Sequence, residues 1–162
     1  MHYLNLQKFQ FINDLNSNLI SKDTTNLSII YRNYSKKVNS KELIKIKQFC
    51  QKKKIKFYIS NKIEECLKYS LDGLYIPSFN KRNLVKKLKR NKQIIIGSAH
   101  NQAEIRKKIE QGCKIIFLSP LFKTYKSKHL GIARFNLTKI HFKEQFVALG
   151  GINSKNIQKT KM

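Results

Sequence analysis

The sequence predicts an α/β protein in which seven parallel strands alternate with helices. Short apolar runs recur at intervals of roughly 20 to 30 residues, and the stretches between them carry apolar residues at helical spacing. This alternation is typical of parallel strands joined by crossover helices. Two architectures fit: a doubly wound open sheet, and a (β/α)8 barrel that lacks its last unit. No glycine-rich dinucleotide-binding pattern follows the first strand, which argues against the open sheet.

The predicted strands are short and apolar throughout, as strands buried on both faces are. In chain order they cover residues 9–13, 27–31, 55–59, 73–76, 93–97, 114–118 and 146–149. Helices are predicted over residues 14–20, from 39 or 40 to about 54, over 62–69, from 80 onward, over 101–112 and 137–142, and from 153. The helix over 101–112 is the best formed, because Asn101 and Glu104 make a capping-box-like pair and Gly112 ends it.

Length and composition indicate one domain spanning residues 1–162, with no apolar run near the roughly 18 residues of a membrane span. The N-terminus has no secretion signal. Three cysteines, Cys50, Cys66 and Cys113, lack the spacing of a metal site and lie beside apolar faces. We therefore predict that they are small core residues in a reducing cytosol, which gives a cytoplasmic location.

The net charge of +25 raises the question of nucleic-acid binding. The lysines are spread along the whole chain, mostly on the polar sides of predicted helices, and no recognition motif or aromatic-basic platform accompanies them. The chain is also rich in Asn, Ile and Lys, as a base-composition bias would produce. We predict no specific nucleic-acid partner, and only weak, salt-sensitive adhesion to RNA or DNA.

The stretch Phe146-Val147-Ala148-Leu149-Gly150-Gly151-Ile152-Asn153 has the strongest local signal for a site. A buried strand leads into two glycines, where the backbone turns sharply and its N–H groups can approach a ligand. Asn153 or Ser154 could cap a helix whose N-terminus directs partial positive charge at the same place. Such a turn can hold a phosphate, although a plain tight turn is the more frequent role of a Gly-Gly pair.

Residues that follow the other strands form the rest of the candidate site, because chemistry in either architecture belongs on those loops. They are Arg32, Asn33, Tyr34, Ser60, Asn61, Pro77, Ser78, Asn80, Ser98, His100, Ser119, Thr124, Lys126, Ser127 and Lys128. Arginine, lysine and backbone N–H groups bind phosphate oxygens. The set contains no carboxylate, so it offers neither the usual magnesium ligand nor a general base of that kind. Arg32 could instead be a surface residue that forms an ion pair. His100 could instead form hydrogen bonds with backbone groups at the start of the helix.

Several segments together resemble one family, that of thiamine phosphate synthase and its thiazole tautomerase relatives. They are IIYRNY, GLYIPS, IIGSAHNQAEIRKKIEQGCKIIFLSPLFKTYKSK, LGIARF and FVALGGIN. The resemblance covers about residues 8 to 158 and is most specific from Gly97 to Asn153. It implies a (β/α)8 TIM-barrel fold and an enzyme that couples hydroxymethylpyrimidine diphosphate to thiazole phosphate, releasing pyrophosphate with the help of Mg2+. Its substrates would be these two phosphorylated small molecules.

The resemblance also implies roles for individual residues. Arg32, Ser98 and Lys126 are the predicted catalytic residues, since they match family positions around the diphosphate. The predicted substrate-binding residues are Tyr34, Ser60, Asn61, Asn80, His100, Thr124, Lys128, Gly150 and Gly151. Asn61 and Asn80 stand where the family has the two aspartates that ligate magnesium, so the cofactor is in doubt and no metal ligand is assigned. Pro120 replaces the catalytic histidine of the tautomerase branch.

Family members continue to an eighth strand and helix beyond the length of this chain. The expectation is therefore a barrel shortened to about seven strands, with two unpaired sheet edges that favour self-association. The alternative to an enzyme is a degenerate barrel that binds a phosphorylated ligand, or a partner protein, without turnover.

Overall fold

In a computed structural model, the described residues are 7–15, 20, 23–34, 39–83, 93–125, 128–153 and 155–160. The chain divides into two compact units. The first unit is Met1–Tyr75 with Asn91–Gln93, and the second is Ile76–Arg90 with Ile94–Met162.

Parallel strands form the centre of the first unit. Its elements are β1 (Lys8–Ile12), β2 (Leu27–Tyr31), α1 (Ser40–Lys52), β3 (Lys56–Ser60), α2 (Ile63–Lys68) and β4 (Gly73–Ile76), the last residue of which falls in the second unit. Each strand pairs in parallel with the next one along the chain, with Ile30 opposite Phe11 and Tyr58. All residues of β2 and all but the first of β3 are buried, so these strands make the core of the unit.

The second unit repeats this arrangement. Its elements are β5 (Ile94–Ala99), α3 (Gln102–Glu110), β6 (Ile115–Leu118), α4 (Gly131–Lys139), β7 (Gln145–Ala148) and a 3₁₀ helix (Ile157–Thr160). β6 lies between β5 and β7 and pairs in parallel with both. Its four residues are all buried, and Ile105 of α3 is buried as well. No helix in the part of the chain that the structure describes is long and apolar enough to cross a membrane.

Helix α1 begins where its sequence predicts. The Asn39 side-chain oxygen accepts hydrogen bonds from the N–H groups of Lys41 and Glu42, at 3.0 and 3.4 Å, which satisfies donors that have no partner within the helix. Leu43, Ile46 and Cys50 form its buried stripe. The Cys66 and Cys113 side chains are buried as well, so all three cysteines are core residues.

The predicted α/β fold with seven parallel strands is confirmed, whereas closure into a (β/α)8 barrel and the single domain stay predictions. The helix predicted over 137–142 is wrong, since α4 runs over Gly131–Lys139. Phe135 is its buried residue, while Leu137 and Ile140 are 67% and 71% exposed.

Three further boundaries differ from the sequence-based predictions. β5 extends past Gly97 because Ser98 and Ala99 pair with Phe117 and Leu118 of β6. The helix predicted from residue 153 is only the short 3₁₀ helix. Most of the helix predicted over 14–20, and residues 84–90 of the one predicted from Asn80, lie outside the described residues, and residues 80–83 are not helical.

Candidate functional site

Arg32 follows β2 in the first unit and is exposed. Its backbone N–H donates to Ile12 O at 2.8 Å, and its guanidinium carbon lies 4.5 Å from the centroid of the Phe11 ring. No carboxylate among the described residues forms an ion pair with it. A cation held by one face against an aromatic ring keeps its N–H groups, which lie in the guanidinium plane, available to an anion.

Tyr34, Ser60 and Asn61 lie in the same unit. Tyr34 and Ser60 share a hydrogen bond of 3.0 Å between their hydroxyl oxygens, with the serine buried at the end of β3. Asn61 adopts a positive φ of 60° and donates its backbone N–H to Tyr75 O at 2.9 Å. The sharp turn ends β3 at this point, and asparagine tolerates it better than most residues. Sequence reasoning placed Ser60 in the loop, but it is the last strand residue.

Ser98 and His100 lie at the end of β5 in the second unit. Ser98 is inside the strand and 5% exposed, so its predicted position after the strand is corrected. The backbone N–H of His100 donates to Glu104 Oε2 at 2.9 Å, and its ring Nδ1 lies 2.9 Å from the same oxygen. The Glu104 N–H donates to Asn101 Oδ1 at 2.9 Å, which confirms the predicted capping pair at the start of α3.

A cavity of about 540 Å³ opens beside His100 in the second unit. Its lining residues are His100, Ser119, Pro120, Lys128, His129, Leu130, Arg134, Leu149 and Gly150. Lysine and arginine side chains therefore share this cavity with the first glycine of the turn, and none of the described residues that line it is acidic. Such a lining favours an anion. Sequence reasoning missed Arg134 because it treated the chain up to about residue 134 as a loop. In the structure, residues 131–134 already form the first turn of α4.

The Gly150-Gly151 turn is held tightly by the loop that follows β6. The two glycines have φ angles of 91° and 70°. Leu121 N–H donates to Leu149 O at 2.8 Å and Phe122 N–H donates to Gly150 O at 3.0 Å. No described residue accepts a hydrogen bond from the N–H groups of Gly150 or Gly151. Two backbone donors are thus open to a ligand.

Thr124 and Gly151 also come together. They line a second cavity of about 540 Å³, with Lys123 and Tyr125 as its other residues. The structure thus groups Gly150 with His100 and Lys128, and Gly151 with Thr124. Lys126, a predicted catalytic residue, lies outside the described residues.

Asn80 lies in the loop after β4, in the second unit. Its Oδ1 accepts from Arg82 N–H at 2.9 Å. Its backbone oxygen accepts from Lys108 Nζ at 2.8 Å and from Gln111 Nε2 at 2.9 Å. Lys108 of α3 is only 1% exposed, and this burial lowers its pKa to about 8. Sequence reasoning missed this residue, because Lys108 is one lysine among many.

The donor set does not fit a magnesium ion held by the protein. Among the described residues there is no group of three or more His, Cys, Asp or Glu side chains that could hold a metal. The Asn80 side-chain oxygen and the Glu104 carboxylate already accept backbone hydrogen bonds. Asp14, which sequence reasoning omitted, is a lone carboxylate after β1. Magnesium prefers several oxygen ligands in octahedral geometry, which these side chains do not supply.

The fold and these loops define an α/β protein with a cationic cavity and an open glycine turn in its second unit. The family model for thiamine monophosphate synthase matches residues 18–161, so the chain belongs to the thiamine monophosphate synthase family.

The proteins to which the chain is similar include two relatives from bacteria and one solved structure. Thiamine-phosphate synthase of Prochlorococcus marinus subsp. pastoris is 30% identical over 125 residues, 75% of this chain and 36% of that protein. Thiamine-phosphate synthase of Lawsonia intracellularis is 30% identical over 142 residues, 80% of this chain and 63% of that protein. The structure of thiamine phosphate pyrophosphorylase from Pyrococcus furiosus aligns with a TM-score of 0.73 at 20% identity, covering 98% of this chain and 83% of that one. The chain thus spans about a third of the Prochlorococcus relative and under two thirds of the Lawsonia one.

Proposed function

We propose that the protein is a thiamine phosphate synthase of thiamine biosynthesis, which couples hydroxymethylpyrimidine diphosphate to thiazole phosphate. The observation that carries the proposal is the cavity of the second unit, where Lys128 and Arg134 share a lining with the Gly150 turn. Membership of the thiamine monophosphate synthase family supports the choice of substrates. The cytoplasmic location belongs to the same proposal.

The proposed reaction suits a site without carboxylates. The bond between the pyrimidine methylene carbon and the diphosphate oxygen breaks, and pyrophosphate leaves with the electron pair. The thiazole nitrogen then forms the new C–N bond with its own lone pair. Because that nitrogen carries no proton, the reaction needs no general base. Its barrier falls when positive charge stabilises the departing diphosphate.

The residues divide into two roles. Arg32 offers in-plane guanidinium N–H groups to the diphosphate, a geometry that suits two-point contact with phosphate oxygens. Ser98 and Lys126 complete the proposed diphosphate contacts. The open N–H groups of Gly150 and Gly151 would bind the thiazole phosphate, with Thr124, Lys128 and His100 beside them. Tyr34, Ser60, Asn61 and Asn80 would contact the pyrimidine substrate. Because the donor set does not fit a metal, no step uses one.

Product formation tests the proposal. The purified protein is incubated with both substrates, and thiamine phosphate is measured after its oxidation to a fluorescent product. We expect product only when both substrates are present. Reactions with and without added magnesium show whether the metal contributes. No product above the protein-free background, at any magnesium concentration, would refute the enzymatic function.

Arg32→Gln is expected to lower kcat/KM for the pyrimidine diphosphate on the order of a hundredfold or more, because a charged donor to the leaving group is lost. Arg32→Lys should recover only part of the activity, since an ammonium cannot make the two-point contact. Arg106→Gln is the matched control, because Arg106 is an exposed residue of α3 and its loss removes the same charge. Equal effects of the two glutamine variants would contradict the role of Arg32.

The second candidate function is the binding of a phosphorylated ligand without turnover. The poor fit for magnesium favours it, since no group of three or more His, Cys, Asp or Glu side chains that could hold a metal occurs among the described residues. A ligand that binds only the folded state raises the melting temperature. Stabilisation by thiazole phosphate in a protein that forms no product would identify this function. Self-association through sheet edges stays a prediction that light scattering checks.

A further inference from the structure

Lys108 is buried in the second unit without a carboxylate partner among the described residues. Its stem crosses β5 at Gly97, where an added Cβ would lie 2.9 Å from Lys108 Cδ and 2.7 Å from Cys113 Sγ. Only glycine leaves room at position 97 for this lysine. Burying an ammonium is costly, and a methionine or leucine would fill the same space without that cost. The position of its charged end therefore needs a reason.

The Nζ atom of Lys108 uses all three of its N–H groups. It donates to Pro77 O at 2.7 Å, to Asn80 O at 2.8 Å and to Gln111 Oε1 at 2.9 Å. An ammonium has three donors, so each one has an oxygen acceptor at a good distance. Two of the three acceptors are backbone carbonyls of the loop after β4.

Gln111 completes the arrangement. It is fully buried, accepts from Lys108, and donates through Nε2 to Asn80 O at 2.9 Å and to Arg82 O at 2.7 Å. Two side chains at the end of α3 therefore hold three carbonyl groups of residues 77–82, which have no regular secondary structure. A segment of this kind has no strand ladder to fix it. These bonds tie it to the end of α3, in addition to bonds within the segment from Asn80 N–H to Pro77 O at 3.0 Å and from Arg82 N–H to Asn80 Oδ1 at 2.9 Å.

We propose that Lys108, together with Gln111, is a positioning residue that holds residues 77–82 in one conformation and thereby fixes Asn80 for binding the pyrimidine diphosphate. The part that concerns substrate rests on the proposed function. Charge explains why a lysine is used, because hydrogen bonds donated by an ion are stronger than those of a neutral group. Lys108 does not touch the substrate itself, since its three donors are all occupied within the protein.

A tryptophan reporter makes the conformation of residues 77–82 measurable without any reaction. The chain contains no tryptophan, and Phe79 in this loop is 65% exposed, so Phe79→Trp gives a single tryptophan that can be excited selectively beside the seven tyrosines. The reporter is combined with Lys108→Met, which keeps the length of the stem and removes the donors. Lys107→Met is the matched control, because Lys107 is the neighbouring lysine of α3 and its Nζ donates to the exposed Glu110 Oε2 at 2.8 Å rather than to the loop.

We expect Lys108→Met to raise acrylamide quenching of the reporter about twofold and to lower its anisotropy, as a loosened loop does. Lys107→Met should change neither. In the enzyme assay, Lys108→Met should raise KM for the pyrimidine diphosphate on the order of tenfold and leave KM for thiazole phosphate unchanged. Equal quenching and anisotropy in the two methionine variants would overturn the proposal.

Circular dichroism establishes first that each variant is folded. If Lys108→Met does not fold, Gln111→Leu replaces it, because that change removes the donors to Asn80 and Arg82 and keeps the lysine. Unaltered quenching in a folded Gln111→Leu variant would likewise overturn the proposal. If Lys108→Met loosens the loop but the unmodified protein forms no thiamine phosphate, the positioning role is supported and the proposed function is refuted. Failure of the positioning role can therefore be distinguished from failure of the proposed function.

Discussion

Gly151→Ala should lower the free energy of unfolding by roughly 2–4 kcal/mol and the melting temperature by roughly 5–12 °C. The residue has a φ of 70°, which strains any side chain. An added Cβ would also lie 2.6 Å from Phe122 O and 2.8 Å from Lys123 O. These are backbone atoms that cannot turn away as a side chain can. Thermal unfolding followed by circular dichroism measures the effect, and binding of thiazole phosphate should be lost with it.

Gly131→Ala separates strain from steric contact. Gly131 has the same φ of 70°, but a Cβ there has no neighbour within 4 Å. Its replacement should cost only the conformational strain, roughly 1–2 kcal/mol. Equal losses of stability in the two variants would show that the loop after β6 does not press on the glycine turn as described.

Stability should fall steeply above pH 9, because burial raises the pKa of Cys50, Cys66 and Cys113 from 9.0 to about 12. A group whose pKa is higher in the folded state stabilises the fold fully below its unfolded pKa. That contribution is lost as pH rises from 9 toward 12, by up to about 1.4 kcal/mol per thiol and pH unit. Lys108 acts in the opposite direction. Its folded pKa is lowered from 10.5 to about 8, so its contribution rises with pH between those values.

Urea unfolding at pH 7.5, 8.5, 9.5 and 10.5 tests this balance, with the three thiols expected to outweigh the single lysine above pH 9. A variant with alanine at all three cysteine positions should be less stable at neutral pH, since it leaves cavities. Its stability should nevertheless change less between pH 9 and 10.5. An equally steep decline in that variant would contradict the assignment to buried thiols.

Sequence predicted the fold better than the site, and particular residues show why. The apolar runs, the Asn101 cap and the Gly112 turn are local signals, and each appears as predicted. The helix start predicted at 39 or 40 is also confirmed, with Asn39 as the cap. Closure of a barrel and the number of domains are not local properties, and they stay predictions.

The errors have one physical cause, which is that tertiary contact overrides local pattern. Ser98 looks like a loop residue, but pairing with β6 extends the strand through it. The helix predicted over 137–142 lies earlier in the chain, over Gly131–Lys139, with Phe135 as its buried side chain. Lys108 could not be distinguished from a surface lysine in the sequence. Its burial depends on the space above Gly97 and on three oxygen acceptors, from residues 77, 80 and 111, that only the folded chain brings together.

The most direct test of the account is phosphorus NMR of a single reaction mixture that contains the protein and both substrates. This measurement follows the pyrimidine diphosphate, the thiazole phosphate, pyrophosphate and thiamine phosphate together. The account predicts that pyrophosphate and thiamine phosphate accumulate at equal rates, and that neither forms when one substrate is omitted. Pyrophosphate or phosphate released without thiamine phosphate, or spectra that do not change, would contradict it.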